Sequence, residues 1–246
     1  PAPKPAAVAA ATNPHSIAVL PFVNMSADRE QDYFSDGLSE ELLNMLGQVP
    51  QLRVTARTSS FSFKDKRVDI PTIARALNVA TVLEGSVRKS GQTLRITAQL
   101  VRASDGSQLW SEIYDRQITD VFKVQDEIAA AVVAALRVRL LPEQHVTNPH
   151  RTVNSQAYDQ FLLARQFNSR STSEGYRKAI EAYRKAIALD PDYAAAYAGL
   201  AFAEVYAADS AETAAENAAH KTRALEAADK AIALAPNLAD GYTARG

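Results

Sequence analysis

The segment KAIALDP at residues 185–191 returns as KAIALAP at residues 230–236, which is 45 positions further along the chain. The same offset relates Ala179 to Ala224. Short helical segments that recur at a fixed period are typical of a solenoid, in which each repeat packs against the next. Small alanines let two helices approach closely, and a proline ends the second helix of each repeat. Residues 154–246 are therefore predicted to form an all-α solenoid whose third repeat is truncated.

The preceding region, residues 16–141, carries alternating strand and helix signals. Residues 17–22 form a continuous apolar run, which is typical of a strand covered on both faces. Residues 94–100 alternate apolar and polar side chains, as a half-buried strand does. The apolar stripe of an intervening helix consists of Phe34, Leu38, Leu42, Leu46 and Val49. The predicted order β-α-β-α-β-β-β-α indicates a small mixed-sheet α/β domain. The predicted fold class is therefore α+β/α, with this domain followed by the solenoid.

Several boundaries are predicted from local chemistry. Asp69 is a candidate N-cap, because Pro71 follows it in the first helical turn. Asp105-Gly106 is typical of a β-hairpin turn. Asp120 is a second candidate cap, for a helix that reaches Leu140. Residues 209–212 resemble a capping box that opens the long second helix of a repeat.

Two stretches are predicted to be linkers. Residues 1–15 are rich in Pro and Ala and have little to bury, so an extended conformation is expected. Residues 142–153 are predicted to join the two domains. The chain begins with Pro1 instead of Met, and its helical pattern is still running at Gly246. We therefore expect it to be a piece of a longer protein.

The composition excludes several classes of function. The formal net charge of the 246 residues is -1, so no general attraction to nucleic acid or to an anionic membrane is expected. The chain has no cysteine, which excludes disulfides and thiolate metal sites. The longest strongly apolar run, residues 128–136, is far shorter than the roughly 20 residues that a membrane-spanning helix needs. No membrane span is predicted in this chain.

Five segments of residues 16–141 carry a family resemblance. They are Ile17–Phe22, Asp32–Leu38, Leu83–Arg88, Leu109–Arg116 and Val124–Ile128. In this order they resemble the TolB amino-terminal-like domain of bacterial proteins. In bacterial signalling proteins this domain commonly precedes tetratricopeptide (TPR) repeats. It often lies downstream of a winged-helix DNA-binding domain, which regulates transcription, or of a class III nucleotide cyclase. The resemblance brings no established catalytic residues with it.

The solenoid resembles TPR repeats. Leu200-Ala201 matches the close-packing pair of the first helix of a repeat, and Ala179, Tyr183, Ala186 and Pro191 match the second helix. TPR arrays hold a protein or peptide in a groove that is lined by first helices. By the TPR register the residues predicted to face this groove are Tyr158, Phe161, Arg165, Ala198, Phe202 and Tyr206. An equal alternative is that Phe202 and Tyr206 only pack on the next repeat.

No catalytic set, metal site or cofactor site is predicted. The four histidines, His15, His145, His150 and His220, lack the spacing of a metal site or of a catalytic triad. The chain also lacks the glycine-rich motifs that hold phosphates. The sequence therefore predicts that the protein is not an enzyme.

The predicted function is a non-catalytic sensory and protein-interaction region of a larger bacterial signalling or transcription-regulatory protein. Its expected partner is a protein or peptide in the TPR groove, with a homodimer as a further expectation and no nucleic acid. One alternative is a nucleotide- or metal-binding enzymatic domain that uses Asp32, Asp36 and Glu84. Another is a dimerising structural spacer. The expected location is the periplasmic region of a membrane-anchored protein, and a cytoplasmic location stays open.

Overall fold

The computed structural model describes residues 13–136 and 151–245. The strands are β1 (Ser16–Val19), β2 (Val23–Asn24), β3 (Arg53–Val54), β4 (Thr81–Ser90), β5 (Thr93–Arg102) and β6 (Gln108–Gln117). The helices among them are α1 (Asp32–Gly47), α2 (Arg57–Phe61), α3 (Ile70–Leu77) and α4 (Val121–Ala135). They are followed by α5 (Ser155–Ser169), α6 (Ser173–Leu189), α7 (Ala194–Asp209), α8 (Ala214–Leu234) and α9 (Ala239–Arg245). The predicted fold class, a mixed sheet with helices followed by a helical region, is confirmed.

The strands form one sheet in the order β3-β1-β4-β5-β6, with β2 paired to β4 beyond the end of β1. β1 is parallel to β3 and β4, whereas β4, β5 and β6 are antiparallel neighbours. Alternate residues of β1 belong to different hydrophobic clusters, because successive side chains of a strand point to opposite faces. Ile17 and Val19 pack in the cluster that contains α1 and α4, and Ala18 packs in the cluster that contains α3.

Some predicted boundaries are confirmed and others are wrong. The Asp69 side chain caps α3 by accepting a hydrogen bond from the backbone N–H of Thr72. Asp120, however, makes no such bond, because it ends a 3-10 turn with φ -92° and ψ 6° and is not extended as a capping residue is. A short helix that was not predicted, α2, lies between β3 and α3.

The predicted capping box at residues 209–212 is also wrong. α7 continues through Asp209, so this residue has helical geometry and cannot cap the next helix. Thr213 is extended and caps α8 instead, and the side chain of Glu216 bonds back to it in a capping box. Residues 1–12, residues 137–150 and Gly246 lie outside the described residues, as do most of both predicted linkers and the predicted helix end at Leu140.

The helical region packs as successive pairs. α5 contacts α6, α6 contacts α7, α7 contacts α8, and α9 contacts both α7 and α8. One hydrophobic cluster runs from the sheet through α1 and α4 into α5, α6 and α7. The sheet and the first repeat therefore share a continuous core. The domain limits of residues 16–141 and 154–246 stay a prediction.

Candidate functional site: the groove between α1 and the helical repeats

The helical region meets the sheet region through α5, which packs on α1. Gly37 of α1 is the point of closest approach, because a Cβ atom at this position would lie 2.4 Å from Cδ2 of Leu162. Tyr158 of α5 is 2% exposed and packs edge-on against the rings of Phe34 and Phe122. Its hydroxyl oxygen accepts a hydrogen bond of 2.9 Å from the side chain of Gln125. The absence of a side chain at residue 37 thus allows α5 to seat a buried aromatic residue on the sheet region.

A charged cluster lies beside this contact. The carboxylate of Glu40 accepts hydrogen bonds from Arg165 of α5 and, at 2.9 Å, from Nε of Arg57. The Glu40 side chain is only 12% exposed. Burial alone lowers the pKa of the Arg165 guanidinium, but the neighbouring Glu40 carboxylate outweighs burial and raises this pKa above its ordinary value. Arg165 therefore stays charged and ties α5 to α1.

A second polar contact joins the start of α5 to the sheet region. Asp159 accepts a hydrogen bond of 3.0 Å from the hydroxyl of Tyr33 and one of 2.8 Å from Nζ of Lys89. Nζ of Lys89 also lies 5.1 Å from the centre of the Phe34 ring. Burial and the Asp159 carboxylate both raise the pKa of Tyr33, so its hydroxyl stays protonated as the donor.

Arg151, just before α5, contacts the first half of α4. Two of its guanidinium nitrogens donate to the two carboxylate oxygens of Asp126 at 2.7 Å each. This forked geometry is the strong form of an ion pair. The guanidinium carbon also lies 5.4 Å from the centre of the Phe122 ring.

A cavity of about 660 Å³ opens between α1 and the repeats. Its lining includes Glu40, Glu41 and Asn44 from α1 and Asp240 from α9. Four of the six residues that the TPR register predicts for the groove also line it, namely Phe161, Arg165, Phe202 and Tyr206. The sheet region and the repeats therefore build one groove together, and we refer to this cavity as the junction groove.

The predicted groove residues differ in exposure. Tyr158 and Ala198 are each 2% exposed and are held within the core. Phe161 is 7% exposed and packs against Tyr183 and Tyr193. Phe202 is half-buried, and Tyr206 is 43% exposed and stacks on Tyr176 with 5.3 Å between ring centres. That a partner contacts these residues stays a prediction.

The α1 side of the junction groove was not predicted. Tyr33, Gly37, Glu40, Glu41 and Asn44 recur at spacings of four, three, one and three, which places them on one face of a helix. This stripe lies beside the apolar stripe that faces the sheet. In the sequence, the sign of this second packing face is a stripe of aromatic, polar and charged residues that contains a glycine.

The carboxylates of the alternative enzymatic hypothesis line a second cavity, of about 980 Å³. Asp36 accepts a hydrogen bond of 2.6 Å from Nζ of Lys64, and Asp32 lies 3.9 Å from the same nitrogen. Burial raises the pKa of Asp36, which the nearby Lys64 partly offsets. Glu84 accepts a hydrogen bond from Gln99. In the described parts of the chain, no group of three or more His, Cys, Asp or Glu side chains is arranged to hold a metal ion.

His15 and His220, the two histidines within the described residues, line neither of these cavities. His220 contacts the buried carboxylate of Glu204, which also binds Arg184 and Arg223. His15 lies next to β1, and His145 and His150 fall outside the described residues. None of the helices within residues 13–136 and 151–245 is long and apolar enough to span a bilayer.

Comparison with known families gives two matches. Residues 175–204 match the TPR repeat family, so the predicted TPR repeat is confirmed, and TPR repeats are protein-interaction elements. Residues 13–131 match the second domain of HilA/YgeH-like transcriptional regulators. Together the two matches indicate a regulatory, protein-interaction role.

A curated relative corrects the prediction that the protein is not an enzyme. Over 190 residues, 75% of the chain, the sequence is 44% identical to the "Putative adenylate cyclase 3" of Rhizobium meliloti strain 1021. The name of this relative is that of an enzyme, which overturns the non-enzymatic prediction. The prediction relied on the absence of catalytic motifs from 246 residues, and such an absence does not describe a longer protein. The chain spans only 32% of the length of the relative.

Three solved structures are similar to part of the chain. TolB from Acinetobacter baumannii has 16% identity and a TM-score of 0.37, and the match covers 49% of this chain and 28% of that one. The carboxyl-terminal domain of LpoB from Salmonella enterica has 18% identity and a TM-score of 0.35, with 44% and 86% covered. The lipoprotein GNA1162 from Neisseria meningitidis has 20% identity and a TM-score of 0.36, with 52% and 99% covered. Similarities at this level carry no conclusion about location or function.

Proposed function

We propose that this chain is a regulatory region of an adenylate cyclase and that its junction groove binds a segment of a partner protein. The observation that carries the proposal is the shared lining of the groove, to which α1 contributes Glu40 and Asn44 and α7 contributes Phe202 and Tyr206. The 44% identity to a relative named as an adenylate cyclase supports the choice of enzyme. The chain spans about a third of that relative, so we propose the cyclase activity for the longer protein and not for these 246 residues.

The composition of the groove suits a protein segment. Exposed or half-buried aromatic residues and arginine are the side chains that contribute most to protein interfaces, and Phe202, Tyr206 and Arg165 supply them. The lining also carries charges of both signs, with carboxylates from Glu40, Glu41 and Asp240 and guanidinium groups from Arg57, Arg151 and Arg165. A segment that combines apolar side chains with charged ones of both signs matches this lining.

The contact between α5 and α1 gives a physical route for regulation. A segment in the groove touches α1 and the repeats at once, so its binding energy depends on how the two are placed relative to each other. Arg165 contributes to both, because it lines the groove and also binds Glu40. We infer that partner binding fixes this placement and passes it on to the catalytic part of the longer protein.

Site-specific photo-crosslinking tests the binding part of the proposal. A photoreactive phenylalanine at Tyr206, which is 43% exposed and lines the groove, is expected to form an adduct with the partner in cells. The matched control is the same residue at Leu225, which is 50% exposed and is not part of the groove lining. The adduct at position 206 should disappear when Phe202→Ala is added. Equal adducts at both positions would refute binding in the groove.

Cyclic AMP formation from ATP tests the regulatory part. We expect the longer protein to form cyclic AMP and expect Phe202→Ala to change its partner-dependent rate, while Leu225→Ala leaves that rate unchanged. A longer protein without cyclase activity would refute the cyclase assignment but not the groove. An unchanged partner response in Phe202→Ala would refute the groove but not the cyclase.

A transcriptional regulator is the second candidate, because residues 13–131 match the second domain of HilA/YgeH-like regulators. The same groove would then control binding to DNA. Cyclic AMP formation separates the two candidates, since a transcriptional regulator of this kind has no need of it. The nucleotide- or metal-binding alternative, which uses Asp32, Asp36 and Glu84, is tested by thermal shift with nucleotides and divalent metals.

A periplasmic location remains part of the proposal. In that arrangement the groove would bind its partner outside the cytoplasmic membrane, on the opposite side from the ATP of a cyclase. Protease added to intact spheroplasts is expected to digest this region if it is periplasmic. Protection from the protease would favour the cytoplasmic alternative.

A further inference from the structure

β6 forms one edge of the sheet. Within residues 13–136 and 151–245, this ten-residue strand pairs with β5 and with no other strand. A strand of this length that is open along one side presents a row of unpaired backbone groups to a second strand. Ile113, in its centre, is 61% exposed.

The hydrogen bonds to β5 define which residues of β6 face outward. The backbone N–H of Ile118 donates to the carbonyl of Gln92, just beyond the end of the ladder. In an antiparallel ladder, hydrogen-bonded and non-hydrogen-bonded pairs alternate. The even-numbered residues of β6 therefore bond to β5, whereas Ser111, Ile113 and Asp115 direct their N–H and C=O groups away from the sheet.

We propose that a second copy of this chain binds to this edge, with the two β6 strands antiparallel and a twofold axis beside Tyr114. In this register, Ile113 of each copy forms the hydrogen-bonded pair with Asp115 of the other. Glu112 of each copy then lies opposite Arg116 of the other in non-hydrogen-bonded pairs, where side chains are closest. The interface would thus contain two equivalent ion pairs. This inference is independent of the junction groove.

Charge selects this register from its neighbours. A twofold axis at Glu112 would place that carboxylate against its own copy, and an axis at Asp115 would do the same for Asp115. Like charges directly opposite each other destabilise a strand pair. An axis at Ile113 places Arg116 opposite Trp110 and forms no ion pair. The Tyr114 register alone among these four pairs opposite charges.

The side chains concerned already lie at the open edge. Arg116 donates a hydrogen bond of 3.0 Å to the backbone carbonyl oxygen of Asp115, one of the outward-facing groups. Glu112 accepts a hydrogen bond of 3.1 Å from the hydroxyl of Tyr114 and is exposed. On dimerisation the Asp115 carbonyl would accept from the backbone N–H of Ile113 of the other copy. Arg116, which lies 3.5 Å from the Glu127 carboxylate of its own chain, would exchange this exposed pair for Glu112 of that copy.

Charge exchange tests the proposal on the full chain by sedimentation equilibrium. We expect the wild-type chain to dimerise below about 100 µM. Glu112→Arg and Arg116→Glu, each alone, should weaken the dimer at least about tenfold, because each places like charges opposite one another twice. The double variant should restore the dimer, since it exchanges the two charges and keeps the pairs. Circular dichroism checks that each variant is folded.

Further variants test the position of the axis, and the absence of native cysteine makes them simple to interpret. A mixture of Glu112→Cys and Arg116→Cys chains should form a disulfide-linked dimer, because non-hydrogen-bonded pairs have the spacing that a disulfide needs. Neither variant alone should do so. Ile113→Asp should give a folded monomer, because it places a second carboxylate opposite Asp115 twice. A monomeric wild type, a double variant that stays monomeric, a disulfide in either single variant, or a dimeric Ile113→Asp would each overturn the proposal.

Discussion

Helices α5 and α7 begin successive repeats, yet their aromatic side chains meet different surroundings. α5 places Tyr158 and Phe161 against α1, α4 and the neighbouring helices, where they are 2% and 7% exposed. α7 places Tyr206 at the rim of the junction groove, where it is 43% exposed. The first helix of the array has thus become part of the core of the sheet region, whereas the second keeps a surface that a partner can reach. The same repeat pattern therefore gives a core helix where α1 and α4 cover it, as at α5, and a groove-lining helix where they do not, as at α7.

The largest expected effect tests this difference between the two tyrosines. Tyr158→Ala should lower the free energy of unfolding by about 4 kcal/mol, because it leaves a cavity in a closely packed core. Tyr206→Ala should lower it by only about 1 kcal/mol, since the residue loses little more than its stacking on Tyr176. Urea denaturation of both variants measures the difference. Equal losses would contradict the assignment of α5 to the core.

The second prediction concerns the close approach of α1 and α5. Gly37→Leu should cost about 3 kcal/mol, because the added side chain would occupy the place of Leu162. Gly47→Ala, in the last turn of the same helix, is the matched control. Apart from its chain neighbours and the backbone of its own helix, no described atom lies within 4 Å of a Cβ built there, so this change should alter stability by less than about 1 kcal/mol.

A compensating change separates packing from other causes. If the clash with Leu162 is the reason for the loss, Leu162→Ala should recover part of the stability of Gly37→Leu. The two changes should then be non-additive, as expected for residues in direct contact. Additive losses would show that Gly37 serves a purpose other than the docking of α5.

The third prediction uses the ion pair between the two regions. Arg165→Met should cost about 2 kcal/mol, because the Glu40 carboxylate is 12% exposed and would lose one of the two arginine partners that it has among the described residues. Arg177→Met is the control, since its pair with Glu181 lies on the surface and should contribute less than about 0.5 kcal/mol. A double-mutant cycle with Glu40→Gln measures the coupling. No coupling would mean that Arg165 lines the groove without stabilising the contact between α5 and α1.

Sequence patterns predicted most of the sheet region and much of the repeats. The apolar stripe from Phe34 to Val49 is buried as expected, because helix periodicity directly reports which face meets the core. The Asp69 cap was predictable for a similar reason, since capping is local chemistry. Asp209 was wrongly predicted as the cap of the next helix. Thr213 and Glu216, which follow four residues after the predicted pair, form the capping box instead.

The junction groove was predictable only on one side. The TPR register identified Phe202 and Tyr206, because solenoid helices follow one another in a regular way. It could not show that α1 packs on α5, since this contact joins residues more than a hundred positions apart. Tyr33 and Asp159 illustrate the point, because each is an ordinary polar residue until the fold brings them within 3.0 Å.

The smallest expected effect compares two aspartates with opposite surroundings. Burial raises the pKa of Asp36 above its ordinary value of 3.8, so folding favours its neutral form. Its contribution to stability is therefore present at low pH and is lost as the pH rises from 3.8 through the raised pKa. At Asp69, hydrogen bonds from Thr72 lower the pKa, so its contribution appears as the pH rises and is lost as the pH falls through the lowered value. Across the acid pH range and relative to wild type, Asp36→Asn should thus gain stability as the pH rises above 3.8, whereas Asp69→Asn should lose it as the pH rises toward 3.8. Urea denaturation across this range measures both slopes, and slopes of the same sign would show that the Lys64 ion pair, not burial, dominates at Asp36.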